Sequence, residues 1–143
     1  MAHLRPAPPV PIPIGLVIVA VGGALGAVAR GALLDQWPAG SGSFPWTVFA
    51  INVGGSMLLA TLPALELVRR VPWLPLFLGT GILGGFTTMS TAAVGSYDLR
   101  HHTAIAAAYL FGTLVAAIGG VLLVDRLSTP AQRALIEAEE GDE

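Results

Sequence analysis

The sequence predicts an all-α membrane protein with four transmembrane helices per subunit, and an apolar composition and the spacing of the charges carry that prediction. Of 143 residues, 54% are hydrophobic and 11% charged, against roughly 25% charged in an ordinary soluble domain. Four stretches without a charged residue, 6–29, 36–65, 71–97 and 101–124, run for 24, 30, 27 and 24 residues. Each exceeds the roughly 20 residues that cross a hydrocarbon core of about 30 Å at 1.5 Å per residue. A soluble single-domain enzyme is thereby disfavoured.

The elements follow in order. A tail over 1–13 carries five prolines between Pro6 and Pro13 and is expected to be extended. Arg5 ahead of an apolar run has the look of a secretory signal, but the prolines, the lack of a clear cleavage stop and the three later spans point to a retained first helix over 14–34. The second, third and fourth spans are expected over 45–65, 73–96 and 103–124, completing a four-helix domain over 14–124. The connections are short: 35–44 is rich in turn residues (Pro38, Gly40, Gly42), 66–72 holds Arg69 and Arg70, and 97–102 holds Asp98, Arg100, His101 and His102. None has room for an extramembrane active site. In the tail over 125–143, Ser128, Thr129 and Pro130 read as the start of a separate short polar helix that fades into acid-rich disorder.

Charge placement fixes an orientation. There are no lysines, and Arg5, Arg69, Arg70, Arg126 and Arg133 fall on one side of the membrane against Arg30 and Arg100 on the other. Five against two favours both termini in the cytoplasm and a fixed insertion in the cell membrane. The absence of cysteine removes disulfides, thiolate metal sites and cysteine nucleophiles. No nucleic-acid surface is expected, because basic residues are few and not interleaved with aromatics. Small residues at helical spacing, Gly22, Gly23, Gly26 and Gly31, Gly54 and Gly55, Gly112, Gly119 and Gly120, predict closely approaching helices. Four thin helices make a small bundle, so enclosing a polar path calls for a second subunit.

The third span carries the string with chemical content, 79–91, reading GTGILGGFTTMST. Adjacent glycines weaken a helix, and the threonines that follow offer hydroxyls to any backbone groups a break releases. A helix broken at mid-membrane around Gly84 to Thr87 is the expectation. Free carbonyls at that depth are tolerated where they are buried in protein, line water or hold a cation. Asn52 and Ser56, Tyr109 and Thr113, and Thr87 and Thr91 are each spaced i, i+4, so each pair shares a helix face. Together they make an uncharged lining of amide and hydroxyl groups.

What is missing separates the function classes. No Asp or Glu lies in a predicted span, which counts against a proton-coupled exporter of drugs or metabolites. No nucleophile has a histidine base at membrane depth, which counts against an enzyme. A donor lining without fixed negative charge suits a small anion, with a cation on nearby carbonyls offsetting the anion's repulsion from low dielectric. Arg30, near the end of the first span, either snorkels to the interface or supplies positive potential at a pore mouth. A non-transporting membrane scaffold is the remaining alternative.

These residues resemble the CrcB/Fluc family of bacterial fluoride channels over roughly 22–124. Gly22-Gly23-x-x-Gly26-x-x-x-Arg30 resembles the family's first-helix signature, and Asn52 with Gly55-Ser56 its second. The third-helix string Gly84-Gly85-Phe86-Thr87-Thr88-Met89-Ser90-Thr91 is the specific match, and Tyr109 with Thr113 fits the fourth. The resemblance implies an antiparallel dimer of four-helix subunits that lets fluoride leave the cytoplasm passively, around a central structural sodium ion (Na+). It implies that the backbone carbonyls of Gly84 and Thr87 hold the sodium. It also implies that Asn52, Met89, Ser90, Thr91, Tyr109 and Thr113 lie along or near the fluoride path, with Arg30 at the vestibule. The chain departs from the family pattern at Met89 and Ala92, where phenylalanines are expected, and at Val48, where a threonine is expected. With the arginine bias, these departures favour a heterodimer with a homologous subunit over a homodimer.

Overall fold

The computed structural model describes residues 10–40, 43–98, 101 and 103–141, with side chains outside the description at 96–98 and beyond 127. Helices α1 (Ile12–Gln36) and α2 (Trp46–Thr61) are followed by a 3-10 turn (Leu62–Ala64) and a short α3 (Glu66–Arg70). A π-helical segment (Leu76–Leu83) then leads into α4 (Gly84–Phe86), α5 (Met89–Asp98) and α6 (Thr103–Gly141). Four helical stretches are long and apolar enough to cross a membrane: Ile12–Gln36, Trp46–Ala64, Leu76–Gly95 and Thr103–Leu127. Their large apolar side chains point outward, Val28 70% and Val115 68% exposed, as suits helices whose solvent on that face is lipid.

Two sequence expectations need correction. The segment after the second span is not a plain loop: Glu66 in the first turn and Arg69 and Arg70 in the last complement the helix dipole, and Arg70 pairs with Glu66 one turn away. The separate C-terminal helix expected to start at Ser128 is instead a continuation of α6, which runs unbroken to Gly141. Pro130 gives up one amide and crowds the carbonyl four residues before it, yet the surrounding alanines, glutamates and leucine are strong helix formers. Arg5, Arg100 and His102 lie outside the described residues.

Packing divides the bundle. α1 lies against the π-helical segment and α4, while α2 lies against α6. The first contact is made by glycine. A Cβ on Gly26 would stand 2.1 Å from the Ile82 carbonyl oxygen, and one on Gly85 2.2 Å from the Gly23 carbonyl oxygen. Both distances are far inside van der Waals contact, so these two backbones touch only because neither residue has a side chain. Gly31, Gly54, Gly112 and Gly119 by contrast meet nothing within 4 Å.

The buried centre is small and aromatic. Tyr109 is fully buried among Val48 and Ala92, with Phe44 edge-on to its ring at 5.3 Å and 87°. Such edge-to-face pairs add about 0.5–1.5 kcal/mol beyond their area.

Candidate functional site

The site is built where the third span leaves helical geometry. Thr87 is extended, with φ −73° and ψ 155°, and neither Thr87 nor Thr88 belongs to a helix. The glycines to which the sequence assigned the opening are helical: Gly84 has φ −63° and ψ −38°, and Gly85 sits in α4. Gly85 serves contact with α1, and the irregular backbone lies on the threonines that follow.

Polar groups of Thr87 and Thr88 find partners there. Asn52 reaches across from α2 and pairs with both sides of one peptide residue: its Oδ1 accepts from the Thr88 N–H at 2.8 Å, and its Nδ2 donates to the Thr88 carbonyl at 3.0 Å. A side-chain amide thus replaces a missing turn of helix. The Thr88 hydroxyl oxygen accepts from the Thr91 N–H at 3.1 Å, the N-cap bond that starts α5. That hydroxyl also lies 3.0 Å from Thr91 Oγ1 and 3.2 Å from Ser90 Oγ. Thr87 Oγ1 donates back to the Leu83 carbonyl at 3.0 Å. Arg30 Nη1 donates to the Thr87 carbonyl at 3.2 Å. The guanidinium therefore turns inward to the third span, and snorkelling to the interface is not what the structure adopts.

A groove of about 540 Å³ opens beside this pairing. Asn52, Ser56, Gly84, Thr87, Thr88, Met89 and Thr113 line it, with Ala92, Leu110, Phe111, Leu114 and Ala117 supplying the apolar wall. Asn52, Gly84, Thr87, Met89 and Thr113 are thereby brought together. Ser90, Thr91, Tyr109 and Arg30 are not in the lining. Tyr109 is sealed in the core, and its hydroxyl has no hydrogen-bond partner among the described residues. The sequence departures meet on that ring: Val48 and Ala92 both pack against it, while Met89, the other departure, is 77% exposed.

Counting donors changes the weight of individual residues. Thr113 Oγ1 spends its hydrogen on the Tyr109 carbonyl at 2.6 Å, as Thr87 does on Leu83, so both offer the groove lone pairs and methyls. Asn52 keeps one of its two amide hydrogens. Ser56 is half-buried in the lining, and its hydroxyl has no partner among the described residues. Spacing places Ser56 beside Asn52 in the lining, although the family resemblance does not put it along the fluoride path. The signal was that i, i+4 spacing, which aims both side chains into one groove.

Among the described residues no three His, Cys, Asp or Glu side chains come together. The oxygens on offer to a cation here are those of backbone carbonyls, hydroxyls and the Asn52 amide. The Thr88 N–H, which in a continued α-helix would bond the Gly84 carbonyl, is given to Asn52 instead. Gly84 is exposed in the groove wall.

The model of the family described as CrcB-like protein, Camphor Resistance (CrcB), matches residues 17–124. Among curated proteins the chain is 43% identical over 109 residues to the fluoride-specific ion channel FluC 2 of Streptomyces avermitilis, a match covering 69% of this chain and 65% of that one. It is 46% identical over 103 residues to FluC 1 of Rhodococcus jostii, covering 72% of this chain and 76% of that one. It is 42% identical over 120 residues to FluC 1 of Streptomyces coelicolor, covering 76% and 73%. A family model that spans the four apolar helices, and relatives this close over most of the chain, lead to one assignment: the chain belongs to the CrcB family.

Proposed function

We propose that the chain is a subunit of a fluoride channel, through which fluoride leaves the cytoplasm down its electrochemical gradient with no energy input. One observation carries the reading: the groove at the interrupted third span is lined by amide and hydroxyl groups and contains no acidic side chain. An N–H or O–H donor replaces part of an anion's hydration shell without first attracting a cation. The names of the relatives, fluoride-specific ion channels, agree with that chemistry.

In this reading Asn52 and Thr113 flank the route inside the groove, with Met89 at its rim. Ser90, Thr91 and Tyr109 act nearby, through the cap of α5 and the packing of α6. Arg30 lends positive potential at the vestibule. The Gly84 and Thr87 carbonyls hold a structural sodium ion; the freed Gly84 carbonyl supports that role, since a hard cation takes oxygen ligands. Two carbonyls do not complete a sodium shell, so the remaining ligands come from a second subunit. The open glycine faces at Gly54, Gly112 and Gly119 leave room for such a neighbour. The sodium, when bound, supplies fixed positive charge and holds two subunits together.

The dimer we favour is a heterodimer in the cell membrane, with both termini of this chain in the cytoplasm. Ala92 and Val48 close on Tyr109, and Met89 and Ala92 stand where the family pattern has phenylalanines, so in this reading those two phenylalanine edges come from the other subunit. The test is fluoride efflux from liposomes, read with a fluoride electrode. The chain alone is expected to release little fluoride, and co-reconstitution with a homologous subunit carrying both phenylalanines restores release. Robust flux from this chain alone rules out an obligatory partner.

A further inference from the structure

Arg30 is placed by the same seam that closes α1 on the third span. Gly22 and Gly26 precede it at one-turn intervals, and both are in backbone contact with the third span, Gly22 against Phe77 and Gly81, Gly26 against Ile82 and Phe86. The next position on that face is Arg30, and its side chain lies over the end of α4. There it meets the Thr87 carbonyl, at the negative end of a helical run that starts at Leu76. A guanidinium is permanently charged and rigid, so it is a fixed cation at this spot at every accessible pH.

From this contact we propose that Arg30 is a tethered cation that shares the Thr87 carbonyl with the sodium ion and sets how weakly that ion is held. The inference rests on the sodium reading above and adds to it a determinant outside the carbonyl set. A carbonyl oxygen has two lone pairs, so one hydrogen bond and one metal contact are compatible at Thr87. Two positive charges on one oxygen nevertheless repel, and in a water-poor site that repulsion is poorly screened. Arg30 also draws electron density from the oxygen that the metal needs. Its removal should therefore tighten sodium binding, the opposite of what a residue that merely holds the carbonyl in place would do.

The sign of the change decides the question. Full-length parent, R30Q and R30K, each co-purified in detergent with a homologous partner subunit, are melted and followed by tryptophan fluorescence while sodium chloride replaces N-methylglucamine chloride at constant ionic strength. The sodium concentration giving half the stabilisation is expected to fall by about ten-fold in R30Q. In R30K the shorter stem withdraws the charge from the carbonyl, so a smaller fall in the same direction is expected. A parent that responds to sodium while the variants respond at the same or higher concentration overturns the role of Arg30 and leaves the sodium reading standing. A parent that ignores sodium while R30Q responds supports the inference in its strongest form, with the guanidinium filling the site. No sodium response in any of the three overturns both. Where R30Q does not fold in either salt, the direction of the R30K shift decides alone.

Discussion

The two long contacts of this bundle use the same small residues to opposite ends. Where α1 meets the third span, glycines are consumed: Gly26 and Gly85 bring backbone to within atomic contact of backbone. Beside the contact of α2 with α6, the structure stays open. Gly54, Gly112 and Gly119 touch nothing, and the groove takes in Asn52, Ser56 and Thr113. One seam is finished within a single chain, whereas the other presents an unfinished polar face. A glycine motif alone does not tell these apart; what does is whether the glycine faces another backbone of the same chain.

The comparison breaks most readily at the closed seam. Gly26→Leu drives a side chain into the Ile82 carbonyl and should cost about 3 kcal/mol or more. The expected outcome is loss of the assembled species in size-exclusion chromatography. A well-behaved Gly26→Leu protein would show that the seam is looser than its geometry. Next comes the pairing that bridges seam and groove. Asn52→Ala leaves the Thr88 N–H and carbonyl without partners, at about 1–3 kcal/mol for each group, so melting should drop by several degrees. Asn52→Asp keeps an acceptor for the Thr88 N–H but sets a carboxylate against the Thr88 carbonyl and beside the anion route. Fluoride flux is expected to fall by ten-fold or more.

Smaller effects sharpen the groove side. Thr88→Val removes the cap of α5 and should cost about 1 kcal/mol, measurable as a lower melting temperature. Ser56→Ala should reduce fluoride flux several-fold while melting stays within a degree of the parent, since its hydroxyl lines the groove and bonds nothing among the described residues. An equal loss of flux and stability would reassign Ser56 to packing. The smallest effect is expected at the open glycines: Gly112→Ala meets nothing in this chain and should change single-chain stability by no more than about 0.5 kcal/mol. A larger loss confined to the assembled dimer would mark that face as the subunit contact.

Much of this was legible in the residues. Charge spacing located all four spans to within a few positions, because a charge in hydrocarbon is costly and its absence over twenty residues is seldom accidental. The i, i+4 pair of Asn52 and Ser56 identified the groove face of α2. The opening expected around Gly84 to Thr87 falls at the threonine end of that range, because a weak helix former such as glycine marks either a break or a close approach. Gly84 and Gly85 are helical, and the extended residue is Thr87. The direction of hydroxyl hydrogens was hidden as well. Spacing makes Thr113 and Asn52 equivalent donors, yet Thr113 donates to its own helix while Asn52 turns across to another. Nor did spacing along one helix reveal that Arg30 would end on the Thr87 carbonyl, 57 positions away.

Fluoride release from liposomes, at a defined gradient and without energy input, is the most direct check on passive conduction through this groove. With the chain reconstituted beside a homologous partner subunit, fluoride should run down its gradient well ahead of chloride, and Asn52→Asp in this chain should cut the rate by at least ten-fold. Release that is absent with and without the partner, or that Asn52→Asp leaves untouched, would contradict the account.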